Sequence, residues 1–122
     1  MSVPERSYPL RGEIWWMQFP GDVPGKKRPG LIVSLDARNS HPRADTVLAI
    51  PLSTSIHKAG PFHLLLHAGE TGLRNDSVAW AENITTLTRN QLAGRVEGHR
   101  PVTHTQICRL AEMVKLAMGC AA

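Results

Sequence analysis

GLIVSL at residues 30–35, DARNSHPRAD at 36–45 and TVLAIPL at 46–52 form the stretch on which the fold turns. The outer pieces are short apolar runs of the kind that fill buried strands. The polar piece between them carries Asn39, Ser40 and Pro42, which suit a loop. Upstream, RGEIWWMQF at 11–19 is rich in aromatic and β-branched residues and stops at Pro20-Gly21. It reads as a first strand with Ile14, Trp16 and Gln18 on one face. GDVPGKKR at 21–28 follows as a loop, expected to be mobile from its glycines, proline and basic triplet. Downstream, Ser53-Thr54-Ser55 ends the third strand, PFHLLLH at 61–67 makes a fourth, ETGLRND at 70–76 a turn, and residues 77–84 a fifth. Residues 88–92 suit one helical turn, and 94–97 a last short strand. Strands that follow one another with no helix between most of them predict an antiparallel barrel or sandwich, not βαβ units.

The clearest local pattern lies at the C-terminus. Thr103 stands where an N-cap belongs, Gln106 three residues on completes a capping box, and Val102 with Ile107 forms a hydrophobic staple. Ile107, Leu110, Ala111, Val114, Ala117 and Met118 then recur at helical spacing up to Gly119. This predicts a helix that lays an apolar stripe on the sheet.

At 122 residues the chain has room for one domain, residues 1–122 with its core at 11–118, and needs neither disulfide nor metal to hold it. Its 42% hydrophobic and 20% charged residues exclude a disordered or fibrous chain. No apolar run reaches the roughly 18 residues of a membrane span. MSVPERSYPL at the N-terminus lacks the apolar core of a secretory signal, so a cytoplasmic protein is expected. Cys108 and Cys120 have no zinc-finger partners, and Cys108 reads as a buried free thiol. His63 and His67 share a strand face about 13 Å apart at ~3.3 Å per residue, too far to hold one ion, so no metal or other cofactor is expected. No GxSxG elbow, Walker loop or GxGxxG suggests hydrolase, nucleotide or dinucleotide chemistry. The net charge of +4 favours a polyanion or an acidic protein as partner.

Four blocks, in order, resemble the MazF/PemK/Kid family of toxin-antitoxin endoribonucleases. They are RGEIWW at 11–16, KKRPGLIVSLDARN at 26–39, TVLAIPLSTS at 46–55 and GLRNDSVAWAENITTLTRNQLAGRV at 72–96. The second is similar to the family's G-x-RP-x-L-[IV]-[IV]-S-x-D-x-x-N segment, the last to its G-L-x-x-D-S-V block. The resemblance implies an SH3-like or barrel-like twisted antiparallel sheet with a C-terminal α-helix, mainly β in class. It implies a two-fold homodimer with single-stranded RNA along a groove near the dimer interface. A cognate antitoxin is expected to lay an acidic segment over that groove. The cleavage implied needs no metal: the 2′-hydroxyl attacks the adjacent phosphodiester, leaving a 2′,3′-cyclic phosphate and a 5′-hydroxyl.

By the same resemblance Arg28 is the catalytic arginine, whose guanidinium can hold two phosphate oxygens as charge builds on them. The plain alternative is a solvated loop cation. Ser53, or Thr54 if the register slips by one, brings a hydroxyl to the scissile phosphate, although Ser53-Thr54-Ser55 equally suits a strand-end turn. Glu82 matches an acidic position that acts as a base or orients the arginine, against the alternative of an exposed strand carboxylate. Lys26 and Lys27 beside Arg28 suit a phosphate backbone. One of Trp15, Trp16 and Trp80 is expected to stack bases, with Trp80 counted beside Lys26, Lys27, Arg28 and Thr54 among the RNA-binding residues.

The chain departs from the family pattern in three places. The loop before Arg28 is the short GDVPGKK, so an acid or histidine from that loop is expected to be missing. Trp80 stands where some members carry an arginine, and Thr85-Thr86-Leu87-Thr88 replaces R-T-[IV]-D. Two other readings share the sequence: a gyrase-poisoning toxin of the same fold, indifferent to Arg28, and a catalytically inactive RNA-binding relative.

Overall fold

In the computed structural model, which describes residues 8–120, the apolar runs become strands of one antiparallel sheet. Residues 1–7 of the segment read above for a secretory signal lie outside the described part. The strands are β1 Ile14–Met17, β2 Arg28–Ile32, β3 Thr46–Ser53, β4 His63–Leu66, β5 Ser77–Trp80, β6 Thr85–Thr88 and β7 Leu92–Arg95. They lie in the order β4-β5-β3-β2-β1-β7, with β6 also on β3. Helices are α1 Asp36–Ser40, α2 Ala68–Thr71 and the long α3 His104–Ala117. The mainly β fold with a C-terminal helix is therefore as the sequence predicts.

The fifth strand differs from its expected bounds of 77–84. On one edge of β3, Leu52 pairs with Ala79 through β5, while Ala49 pairs with Thr85 through β6. Between these pairs two residues of β3, Ile50 and Pro51, thus face five on the other side, residues 80–84. The surplus is the 3₁₀ turn Ala81–Asn83, a bulge that bends one long strand into two. That bend carries β4 and β5 away from β6 and curls the sheet.

Strand alternation then builds a core on each face. Ile14, Leu31, Ile50 and Leu52 pack with Leu64, Leu66 and Ala79 beneath Ile107 and Leu110 of α3, while Met17, Ile32, Val47, Ala49 and Leu87 pack with Phe19 on the other face. Leu110 is 1% exposed, a burial that contributes roughly 1.5–3 kcal/mol. Gly30 is required here, since a Cβ would press into Met17 and stand 2.8 Å from the ring of Phe19.

The helix starts and stops as predicted: the Thr103 side chain accepts the Gln106 N–H, and Gly119 turns left-handed with φ +84°. Its capping box is only half made: the Gln106 side-chain oxygen does not accept the Thr103 N–H, and the amide nitrogen donates to Glu70 Oε2 at 3.1 Å. The stripe is shorter than expected. Ile107 and Leu110 are buried and Met113 and Val114 half-buried, whereas Ala111, Ala117 and Met118 are exposed. Cys108 is exposed as well, correcting its reading as a buried thiol; its Sγ lies 3.5 Å from His104 Nε2, one turn back on the outer face. The expected loop at 36–45 opens with α1, where buried Asn39 donates to the carbonyls of Pro9 and Ser34.

Candidate functional site

β2 begins at Arg28, opposite Met17 of β1. On the other side Gly30 pairs with Pro51 of β3, and the same register carried two residues further sets Arg28 opposite Ser53. Both line a cleft of about 190 Å³ together with Pro29, Thr54 and Ser77. From Arg28 a cleft of about 320 Å³ runs past Phe19, Pro51 and Asn83. From Pro29, Thr54 and Ser77 another, of about 580 Å³, runs to Trp16, Arg74 and Glu97. The clefts follow one another along the strand ends as a groove, the first sharing Arg28 with the second and Pro29, Thr54 and Ser77 with the third.

Arg28 is held in a fixed pose. Its Nε and Nη2 donate to the two carboxylate oxygens of Asp22 at 2.8 and 2.9 Å, and its guanidinium carbon lies 5.9 Å from the centre of the Phe19 ring. The side chain is 39% exposed. A guanidinium has five N–H groups, so three remain for a ligand. The short loop nevertheless supplies an acid to Arg28: Asp22, six residues before it. Nor is the loop loose: the Gln18 side chain accepts the Gly25 N–H at 2.9 Å and donates to the Val23 carbonyl at 3.4 Å. An aspartate just after Pro20-Gly21 was the only sequence signal for this pairing, and it named no partner.

Ser53 closes β3, and its Oγ accepts the Ser55 N–H at 3.1 Å, so the strand-end turn is real. The hydroxyl hydrogen remains free to donate. Thr54 is exposed and lines two of the clefts. Ser77, to which sequence reasoning assigned no role, reaches the same two clefts because β5 pairs Val78 with Ser53.

Glu82 and Trp80 both engage His63. The bulge puts Glu82 on the 3₁₀ turn, where its Oε1 lies 2.8 Å from His63 Nε2. His63 Nδ1 accepts the Gly60 N–H at 2.8 Å, so the ring proton sits on Nε2 and is donated to Glu82. The His63 ring stacks on half-buried Trp80, centroids 4.8 Å apart and planes 9° from parallel. Asn83, the next residue, lines the Arg28 cleft. Trp15 packs against the second core and donates to Glu13 at 3.3 Å, whereas Trp16 is 39% exposed in the cleft of about 580 Å³. Lys26 and Lys27 are exposed beside Arg28. Among the described residues no group of three or more His, Cys, Asp or Glu is arranged to hold a metal, and no helix is long and apolar enough to cross a membrane.

A pinned guanidinium with unspent donors, hydroxyls opposite it and an open groove can bind an anion and stabilise charge that grows on it. Comparison with known proteins agrees with that chemistry. Residues 10–117 match the family model described as PemK-like, MazF-like toxin of type II toxin-antitoxin system. The endoribonuclease MazF9 of Mycobacterium tuberculosis is 30% identical over 109 residues, covering 84% of this chain and 87% of that protein. The endoribonuclease MazF6 of the same species is 34% identical over 89 residues, covering 70% and 78%. Among solved structures, an endoribonuclease in complex with its cognate antitoxin from a mycobacterial species has a TM-score of 0.71 at 26% identity, covering 93% of this chain and 98% of that one.

Proposed function

The chain belongs to the PemK-like, MazF-like toxin family of type II toxin-antitoxin systems, and from that premise we propose that it is an endoribonuclease that cuts single-stranded RNA in the groove at Arg28. One observation carries the assignment: Arg28 stands opposite Ser53 with its fork locked on Asp22 and three N–H groups to spare. In the proposed reaction the substrate's 2′-oxygen attacks the adjacent phosphorus and the bond to the 5′-oxygen breaks, giving a 2′,3′-cyclic phosphate and a 5′-hydroxyl. The negative charge that gathers on the phosphorane oxygens meets the spare Arg28 donors, which are positioned before the reaction begins. Ser53, on the Arg28 face of the sheet, donates to a phosphate oxygen or passes a proton toward the leaving oxygen, with Thr54 next to it. Glu82 has no part in this scheme, since its carboxylate is engaged by His63. Lys26 and Lys27 hold flanking phosphates.

The same reading makes the protein a cytoplasmic homodimer, needing no metal, whose cognate antitoxin lays an acidic segment over the basic groove. The test is incubation of the purified protein with a long single-stranded RNA in EDTA. Discrete cuts with cyclic phosphate ends are expected, together with complete resistance of a substrate carrying one 2′-deoxynucleotide at the cut site. Intact RNA alongside inhibited gyrase would replace this reading with the gyrase-poisoning one.

A further inference from the structure

We propose that the cleft of about 580 Å³ between Trp16 and Arg74 is a guanine-selective pocket for a base flanking the cleaved phosphate, an inference that rests on the RNA-cleaving reading above. Trp16 is a large ring left 39% exposed, and no hydrogen bond or ring contact engages its side chain among the described residues. Such a face in a groove is a sequence-tolerant platform for an unstacked base. Its position is set by the sheet. Strand alternation turns Trp16 and its partner Pro29 to the face opposite Arg28. The Trp16 and Arg28 clefts share Pro29, Thr54 and Ser77 at the strand ends, so a base on the Trp16 ring belongs to a nucleotide that has crossed this edge from the phosphate held by Arg28.

Selectivity comes from the two charges in the same walls. Arg74 can only donate and an ionised Glu97 can only accept. Neither side chain has a hydrogen-bond or ion-pair partner among the described residues, so both capacities are unspent. Guanine is the base that offers two neighbouring acceptors, O6 and N7, for an arginine fork, and two neighbouring donors, N1–H and the 2-amino group, for a carboxylate. Adenine puts a donor beside N7 and would face Arg74 with it. Cytosine offers its amino donor where an acceptor is needed. Uracil has one carbonyl where the fork wants two acceptors, and a smaller ring to stack.

The test uses the full-length Arg28→Ala protein, which by the proposed function binds RNA without cutting it. It is titrated with uridine heptamers carrying one central guanosine, adenosine or cytidine, or none, while tryptophan fluorescence is followed. The guanosine oligomer is expected to bind about tenfold more tightly than the others and to quench the emission. Adding Trp16→Ala should remove the quenching, and adding Arg74→Ala or Glu97→Gln should erase the preference while leaving the quenching. In parallel, cuts made by the unmodified protein in a long RNA should all have a guanosine at one fixed offset. Equal binding of the four oligomers, or cuts with no guanosine at a fixed offset, would overturn the pocket and leave the nuclease assignment standing. A protein that neither binds nor cuts RNA would overturn both.

Discussion

Arg28 and Asn39 stand near the two ends of one segment, residues 26–39, and their polar groups are used in opposite ways. Asn39 is fully buried: its amide donates to the Pro9 and Ser34 carbonyls at 3.2 and 3.1 Å, and its oxygen accepts the Ser34 hydroxyl. Ser34 in turn accepts the Leu48 N–H at 3.1 Å, so the network closes on the backbone of β3. Arg28 is pinned by Asp22 but only partly satisfied, and its free donors face a groove. A saturated polar cluster locks loops to a sheet. An oriented and unsaturated one stores binding capacity for something outside the chain. Family motifs do not announce which is which, since Arg28 and Asn39 belong to the same block of the pattern.

That contrast is open to direct attack. Arg28→Ala should lower single-turnover RNA cleavage by roughly 10²–10³-fold, as expected for loss of a preorganised charge stabiliser, with the thermal midpoint nearly unmoved. Asn39→Ala should do the reverse. It removes the partner of the Ser34 hydroxyl and of the Pro9 and Ser34 carbonyls, so urea unfolding should show a loss of about 2–4 kcal/mol while cleavage per folded molecule stays the same. If Arg28→Ala instead unfolds the protein and Asn39→Ala instead stops cleavage, the division into site and latch is wrong.

Asp22→Asn sharpens the comparison, because it loosens the fork without removing the cation. A fall of about tenfold in the rate constant at saturating RNA is expected, with KM unchanged or lower as a negative charge leaves the groove. Asp22→Glu, which restores the carboxylate, should recover part of the rate, an outcome that a purely structural role for the loop would not produce. The smallest effect belongs to Lys26→Ala and Lys27→Ala. Each should weaken binding modestly and reduce the slope of log affinity against log salt by about 0.7, the value for one phosphate contact on a single strand.

Short apolar and aromatic runs bounded by turn residues were enough to predict the strands around Ile14, Ile32, Ile50 and Leu64. Thr103, Ile107, Leu110 and Gly119 were enough to predict the last helix and its two ends, since periodicity and capping are local properties of the chain. The block pattern also brought Arg28 and Ser53 forward together, and the β2–β3 register explains why they travel as a pair. Four features were beyond local reading. The three-residue bulge at Ala81–Asn83 depends on how β3 receives two successive strands, and it carries the Glu82 that meets His63. The bond between Asp22 and Arg28 depends on a loop folding back on Gln18. Cys108 adjoins buried Ile107 in sequence, yet the helix turns it about 100° to the outside, a placement decided by which face meets the sheet. Trp16 and Trp80 are alike as residues, and only the curl of the sheet leaves one ring in a groove and the other beneath a histidine. Sequence determined which residues alternate, cap and turn, because those preferences act within a few positions. Tertiary structure decided which polar groups found partners, because that depends on residues brought together from distant parts of the chain.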